Sequence, residues 1–193
     1  ESDKKYTLLA IGDGANQPLA LAALDDNPGT PLPGTANVRI AHYAPFAASL
    51  PSTAVDICND DTGAPVPGLT NVPFGVASPW IPIPAGIYDL SIAVAATNCV
   101  NTALDIDPLA IVAGKTYDVY AIGKNTPAFP LAVTSITGLD YPAQVTVGHF
   151  APFAATIPQT AVDIKVNGAL AFTDVVYGNF VPNVALLPVT TTV

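Results

Sequence analysis

Residues 38–57 read VRIAHYAPFAASLPSTAVDI, and residues 145–164 read VTVGHFAPFAATIPQTAVDI. The two stretches align without a gap at an offset of 107 positions, and 13 of their 20 positions are identical. Other positions are conservative exchanges, such as Tyr43 for Phe150. A match of this quality at a fixed period indicates that one structural unit is repeated along the chain.

The N-terminal segment matches a different part of the same repeat. Residues 4–12 read KKYTLLAIG, and residues 115–123 read KTYDVYAIG. We therefore expect the chain to start within the tail of one copy and to end within the head of another, with one complete copy between them. The predicted parts are a tail fragment at residues 1–26, a linker rich in Pro and Gly at 27–35, a complete copy at 36–142 and a head fragment at 143–193.

The composition favours strands over helices. The 193 residues include 20 Pro and 14 Gly, and Pro is excluded from helix interiors and from central strands. Short β-branched and aromatic runs bounded by turn residues predict many short strands. We therefore expect an all-β chain of tandem immunoglobulin-like or transthyretin-like β-sandwich domains. The predicted strands are residues 5–11, 18–24, 38–43, 54–58, 87–95, 103–112, 115–122, 131–136, 145–150, 161–166, 169–176 and 184–193.

Five motifs follow one another in the complete copy. They are HYAP at residues 42–45, AVDI at 54–57, VPFG at 72–75, PAGIYDL at 84–90 and AGKTYDVYAIG at 113–123. This ordered set resembles the family known as domain of unknown function 4397. The resemblance implies extracellular β-sandwich modules, often in tandem, of bacterial secreted and surface proteins. It implies a fold and a location, and it implies no chemistry.

The charge balance excludes some classes of partner. The chain has 15 acidic and 6 basic residues, which gives a net charge of −9. Nucleic acids and anionic membrane surfaces are bound by clustered Lys and Arg, and the sequence has no such cluster. No apolar run is long enough to span a bilayer. The sequence shows no signal-peptide pattern and starts at Glu1 without Met, so we expect a processed or excised product.

Cys58 and Cys99 are the two cysteines of the chain. Neither lies beside a further cysteine or a histidine, as a metal site would require. In an oxidising environment they would form one disulfide, and the alternative is a pair of buried free thiols. We predict the disulfide, and with it an extracellular or cell-surface location.

His42 and His149 occupy equivalent positions of the two copies, as do Asp56 and Asp163. A His–Asp pair orients the imidazole in catalytic triads, but no Ser, Thr or Cys nucleophile is placed consistently in both copies. One histidine in each copy is too few for a zinc site. We expect a structural hydrogen bond from each imidazole to the carboxylate or to a strand-end carbonyl. We expect no catalytic residue, no metal and no cofactor.

Two further features have alternative interpretations. The NDDTG sequence at residues 59–63 offers oxygen ligands near a glycine, but it lacks the spacing of a helical calcium loop, so we expect a plain turn. Phe46, Phe153 and Trp80 lie near prolines and are expected to be core or interface anchors. The alternative for these aromatic residues is a sugar-binding platform.

The incomplete copies suggest a role in assembly. A sandwich that lacks strands leaves an apolar groove and unpaired backbone groups, which favour strand addition. The N-terminal fragment would donate the missing strands to the C-terminal fragment, either within one chain or between chains. A third possibility is that the sequence is one stretch of a longer repeat protein. The predicted donor residues are Tyr6, Leu8, Ala10, Leu19 and Leu21, and the predicted acceptor residues are Val145, Val147, Val162 and Ile164.

The function that follows is structural. Donation between chains is a head-to-tail contact, which generates an open filament unless the rotation closes a ring. We therefore expect an extracellular structural subunit, not an enzyme, whose partners are copies of itself in a filament, sheath or surface layer. The alternative is a secreted adhesin-type module that closes its split domain within one chain and binds a glycan or a surface partner.

Overall fold

The computed structural model describes residues 5–137, 144–166 and 168–185. These residues form an all-β structure with short 3-10 turns at Leu50–Thr53 and Ile157–Thr160. The strands are β1 (Tyr6–Ile11), β2 (Ala20–Asp25), β3 (Thr35–His42), β4 (Val55–Asn59), β5 (Ala64–Pro65), β6 (Ile81–Pro84), β7 (Gly86–Val94), β8 (Thr102–Ile111), β9 (Thr116–Ile122), β10 (Ala132–Thr137), β11 (Gln144–His149), β12 (Val162–Val166), β13 (Ala169–Val175) and β14 (Phe180–Ala185).

The chain divides into two compact units. The first unit comprises Glu1–Asn27, Thr126–Phe129 and Leu139–Val193, and the second comprises Pro28–Asn125 and Pro130–Gly138. The N-terminal boundary thus falls at the start of the expected linker, residues 27–35. The rest of that segment belongs to the second unit, and Thr35 is already the first residue of β3.

The second unit contains two four-stranded sheets. Their strand orders are β10-β9-β3-β6 and β5-β4-β7-β8. The pair β3–β9 is parallel, and the other paired strands of the unit are antiparallel. Two apolar clusters form the interior of the unit. One is centred on Val38 and Tyr117, and the other on Val55 and Ile92.

The first unit contains a four-stranded and a two-stranded sheet. The order of the larger sheet is β14-β11-β1-β2, and the smaller sheet is β12-β13. The pair β1–β11 is parallel, as β3–β9 is in the second unit. The strands of this unit therefore come from both ends of the described sequence.

The strand β6 was not predicted from the sequence. Its residues, Ile81–Pro84, alternate Ile with Pro, and Pro cannot donate a ladder hydrogen bond. The strand is accommodated because it lies at the edge of its sheet, where the backbone N–H and C=O groups of every second residue point away from the sheet and need no partner. None of the helices in residues 5–137, 144–166 and 168–185 has the length and apolar character to cross a membrane.

Candidate functional site

The central feature of the first unit is the junction between β1 and β11. The two strands run parallel, and β1 lies between β11 and β2. The predicted donor strand is thus paired with the predicted acceptor strand, and both belong to the same chain. The register pairs Tyr6 with Val145, Leu8 with Val147 and Ala10 with His149.

The junction repeats the register of β9 and β3 in the second unit. There, Tyr117 pairs with Val38, Val119 with Ile40 and Ala121 with His42. The hydrogen bonds that follow the strands also correspond. Phe150 N–H donates to the Ala10 carbonyl at 2.9 Å, and Tyr43 N–H donates to the Ala121 carbonyl at 2.8 Å. In the first unit, β1 therefore occupies the place that β9 occupies in the second.

The turns after β1 and β9 are equivalent as well. Gly12 and Gly123 have φ angles of +88° and +108°, which disfavour any residue with a side chain. A Cβ atom at Gly12 would lie 2.0 Å from the Pro18 carbonyl oxygen, and one at Gly123 would lie 2.1 Å from that of Pro130. Both hairpins therefore need glycine at this position because the returning backbone passes directly over it.

The remaining predicted donor residues are on the solvent side of the hairpin. Leu21, on β2, pairs with Ala10, and its side chain is 58% exposed. Leu19 immediately precedes β2 and is 57% exposed. The buried residues of β1 are Thr7, Leu9 and Ile11, which alternate with the predicted donors Tyr6, Leu8 and Ala10.

Two of the predicted acceptor residues lie away from β1. Val162 and Ile164 are on β12, and they pair with Val175 and Phe172 of β13 in the smaller sheet. Their side chains are half-buried, whereas the equivalent Val55 and Ile57 on β4 are buried. The difference arises because β4 lies between β5 and β7, whereas β12 is paired with β13 alone among the strands that the structure describes.

A buried position distinguishes the two parallel pairs. In the second unit, Arg39 on β3 and Asp118 on β9 are register partners and form a two-point ion pair. The guanidinium carbon of Arg39 also lies 4.3 Å from the centroid of the Trp80 ring. In the first unit, the corresponding register partners are Thr146 and Thr7. All four residues of the two pairs are buried.

Each histidine is held by backbone groups on both ring nitrogens. His42 Nε2 lies 2.8 Å from the Thr53 carbonyl oxygen, and Ala44 N–H donates to Nδ1 at 3.4 Å. His149 makes the equivalent contacts, with the Thr160 carbonyl at 2.7 Å and with Ala151 N–H at 3.3 Å. Because Nε2 faces an acceptor and Nδ1 faces a donor, this arrangement fits the neutral Nε2–H tautomer.

Burial also disfavours the charged imidazole. It lowers the pKa of His42 to about 4, against the smaller opposing effect of the Thr53 carbonyl. Burial likewise lowers the pKa of His149, with the Thr160 carbonyl opposing it. Phe46 and Phe153 lie over these rings, with a centroid separation of 5.7 Å in each unit. The histidines are therefore neutral structural groups at neutral pH.

Asp56 and Asp163 accept hydrogen bonds from backbone amides. Asp56 accepts hydrogen bonds from Asn71 N–H at 2.7 Å and Ala96 N–H at 3.1 Å, so it joins two loops. Asp163 accepts one from Asp174 N–H at 3.2 Å. We expected each imidazole to contact either the carboxylate or a backbone carbonyl, and the structure shows a carbonyl. For His42 the carbonyl belongs to the 3-10 turn before β4, and for His149 it belongs to the 3-10 turn before β12. Each aspartate binds loop amides instead of the histidine.

The predicted disulfide between Cys58 and Cys99 is present. It joins β4 to the loop between β7 and β8, and the Cα atoms are 5.9 Å apart. Asp56 binds the same loop through Ala96. Covalent and polar contacts therefore fix one loop to β4 in the second unit.

Three aspartates converge on the β4–β7–β8 sheet. Oxygens of Asp60, Asp89 and Asp105 lie within 4.8 Å of one another. Asp60 also accepts a hydrogen bond from the Ser91 hydroxyl at 2.6 Å. The sequence placed Asp60 in a plain turn, and it did not indicate that Asp89 and Asp105 would lie beside it. Asp60 and Asp105 are exposed, and we assign no ion to the cluster.

The second unit also contains an apolar cavity of about 490 Å³ between its two sheets. Buried side chains of both sheets line its inner part, and the exposed residues Thr62, Ala64 and Pro67 line the part that opens to solvent. Sequence reasoning did not find the cavity, because its lining residues have the pattern of an ordinary core.

A comparison with protein families identifies the family of the chain. No curated protein matches the chain. The family model described as Domain of unknown function (DUF4397) matches residues 46–158, which is more than half of the chain. The match covers the Cys58–Cys99 disulfide, strands β4 to β11, the 3-10 turn Leu50–Thr53 and the first two residues of the turn Ile157–Thr160. The chain therefore belongs to the DUF4397 family.

Proposed function

We propose that the chain is an extracellular structural subunit made of two sandwich-type modules, whose copies join by strand complementation. In this arrangement, the β1–β2 hairpin of one copy lies against β11 of the next copy. The observation that carries the proposal is the register of β1 on β11, which reproduces that of β9 on β3. The β1–β2 hairpin therefore takes the place in the first unit that the β9–β10 hairpin takes in the second, and most of the other strands of the first unit come from the C-terminal part of the sequence.

The same contacts serve within one chain or between two chains. The structure closes the junction within the chain, and exchange of an identical element between copies conserves every hydrogen bond of the ladder. The exchanged segment would bring the buried side chains Thr7, Leu9 and Ile11 to its new partner. Because the donor and acceptor surfaces differ, exchange in one direction continues as a head-to-tail chain.

The connection after the hairpin is short. Asp26 is held in the first unit, where its N–H donates to the Lys5 carbonyl and its carboxylate accepts from the Thr7 hydroxyl. The side-chain Nδ2 of Asn37, in the second unit, donates to the carbonyl oxygens of Pro28 and Gly29 at 3.0 Å. Asn27 alone lies between the two held points. A short connection of this kind is the type of hinge at which elements exchange between copies.

The pairing is also specific. A β1 strand placed against β3 would put Thr7 opposite the buried Arg39 and leave its charge without Asp118. An unpaired buried charge is strongly destabilising. The hairpin of one copy is therefore directed to β11 and excluded from β3, which sets the order of subunits in the proposed assembly.

Further features support a non-catalytic role outside the cell. Both imidazoles are neutral and engaged with backbone groups, so neither is placed to act as a general base. The Cys58–Cys99 disulfide fits an oxidising compartment.

The proposal is tested by disulfide trapping in the full chain. The variant Leu8→Cys/Val147→Cys places a cysteine pair at register partners of β1 and β11. The matched control Ile40→Cys/Val119→Cys places a pair at the equivalent partners of β3 and β9, within the second unit. After oxidation, both are compared on denaturing gels without reductant.

The proposal predicts a ladder of covalent oligomers for Leu8→Cys/Val147→Cys and a single monomer band for the control. A monomer band for both variants, at concentrations where the wild type is fully folded, would contradict exchange between copies. A ladder for both variants would indicate random cross-linking and would also contradict it.

A further inference from the structure

The cavity in the second unit is built from both sheets. Val38 and Val119 line it from one sheet, and Ile57 and Ile92 line it from the other. These four side chains are buried, so they form its inner wall. Thr62, Ala64 and Pro67 also line the cavity and are exposed, so the space reaches solvent beside β5. Its volume, about 490 Å³, lies within the range of small-molecule pockets, roughly 300–1,000 Å³.

The lining is almost entirely apolar. Its polar side chains are Asn59, Thr62 and Tyr88, and the Tyr88 hydroxyl already donates to the Pro84 carbonyl at 2.8 Å. Cavities lined by aliphatic side chains stay dry and bind apolar molecules in place of water. The volume is therefore better filled by an apolar ligand than by solvent.

Charge restricts the ligand further. The lining contains no Lys, Arg or His among the residues that the structure describes. Leu90 and Ile106 point into the cavity, so their neighbours Asp89 and Asp105 lie on the opposite face of the same sheet, where they meet Asp60. A buried anionic group would face these carboxylates across one sheet without a compensating cation, which is unfavourable.

We propose that this cavity binds one uncharged apolar small molecule, such as an aliphatic chain with a neutral end, which enters beside β5. Its apolar part lies against the inner wall, and a neutral polar end remains near Asn59 and Thr62. The site lies within one unit of one chain, so it does not depend on exchange of the β1–β2 hairpin.

The test uses the full chain and two fluorescent probes, N-phenyl-1-naphthylamine, which is neutral, and 1-anilinonaphthalene-8-sulfonate, which is anionic. The variant Val133→Phe extends a lining side chain into the cavity. Its matched control is Leu21→Phe. Leu21 pairs with Ala10 on β1 in the way that Val133 pairs with Ala121 on β9. The Leu21 side chain is exposed and lines no part of the cavity. Ala121→Leu, which fills the cavity from β9, is a second variant.

We expect the neutral probe to bind the wild type and Leu21→Phe saturably, with one molecule per chain, and to be displaced by dodecanol. At least one folded filling variant should bind it at least tenfold more weakly, and the anionic probe should bind the wild type at least tenfold more weakly than the neutral one. The inference is overturned if the wild type shows no saturable binding of the neutral probe or binds the anionic probe equally well. Unchanged binding by the folded filling variants would also overturn it. If neither variant folds, displacement by dodecanol and a rise in the wild-type melting temperature with dodecanol decide the question.

Discussion

Thr7 on β1 lies opposite Thr146 on β11, and both side chains are buried in the parallel pair that joins distant parts of the sequence. The Thr7 hydroxyl donates to the Asp26 carboxylate at 2.6 Å, so the start of β1 is tied to the end of the hairpin. The equivalent pair in the second unit is the ion pair Arg39–Asp118. At this register position, the first unit has two neutral hydroxyl side chains where the second unit has an ion pair.

The first prediction concerns this position in the first unit. Thr7→Asp would bury a second carboxylate beside that of Asp26, and we expect a loss of about 3 kcal/mol or more in the free energy of unfolding. The double variant Thr7→Asp/Thr146→Arg should recover part of that loss, because it recreates the pair found in the second unit. Urea unfolding of both variants and of the conservative Thr7→Ser measures the effect. Additive losses in the double variant would contradict the equivalence of the two pairs.

The second prediction concerns the ion pair itself. Asp118→Thr leaves the buried Arg39 guanidinium with the Trp80 ring but without its carboxylate, so we expect a loss of about 3–5 kcal/mol in unfolding free energy. Arg39→Thr/Asp118→Thr, which copies the first unit, should cost clearly less than Asp118→Thr alone. Chemical denaturation of the single and double variants provides the comparison. Equal losses would show that the charge pair does not specify this strand pairing.

The third prediction is a pH dependence of stability. The unfolded chain protonates histidine near pH 6.5, whereas burial lowers the pKa of His42 in the native state to about 4. As the pH falls through this window, the unfolded state takes up a proton that the native state does not, so stability decreases. The lost contribution of His42 is about 3 kcal/mol when the pH has fallen to the native pKa.

Burial of His149 acts in the same direction. We therefore expect the free energy of unfolding to decrease between about pH 7 and pH 5, where carboxylates remain ionised. His42→Gln should reduce the slope, and His42→Gln/His149→Gln should reduce it further. Urea titrations at several pH values measure these slopes. A wild-type stability that is constant or rises on acidification would refute the assignment of buried neutral imidazoles.

The fourth prediction concerns the disulfide. Cys58 and Cys99 are 41 residues apart, and closing a loop of this length contributes about 4 kcal/mol in the chain-entropy model. Cys58→Ala/Cys99→Ala should therefore destabilise the second unit by about this amount and leave the first unit unchanged. Calorimetry combined with hydrogen exchange resolved by residue separates the two units. Equal loss of protection in β1 and β4 would contradict independent stabilisation by the disulfide.

The sequence predicted the repeated parts of the fold because repetition is visible without coordinates. The match of residues 4–12 to 115–123 anticipated the shared place of β1 and β9 in their sheets. The pairing of β1 with β11 followed from the same match. By contrast, β6 was not predicted, because its prolines suggest a turn and their tolerance depends on the edge position of the strand.

Contacts that do not depend on the type of side chain could not be predicted from the sequence. The partner of the His42 imidazole is the carbonyl of Thr53, and every residue has a carbonyl. Convergence of Asp89 with Asp60 and Asp105 depends on strand register, which a single sequence does not specify. The cavity depends on the spacing of two sheets, whereas its lining residues look like any apolar core.

The most direct test of strand complementation between copies uses two single variants. Leu8→Cys and Val147→Cys are purified separately, each with its native disulfide intact, partly unfolded together, refolded as an equimolar mixture and oxidised. A new disulfide joining Leu8→Cys to Val147→Cys can form only between copies. Strand complementation between copies predicts a covalent heterodimer containing one chain of each variant as the main new product, identified by mass spectrometry of the linked peptides. Recovery of monomers alone, with both variants natively folded, would contradict it.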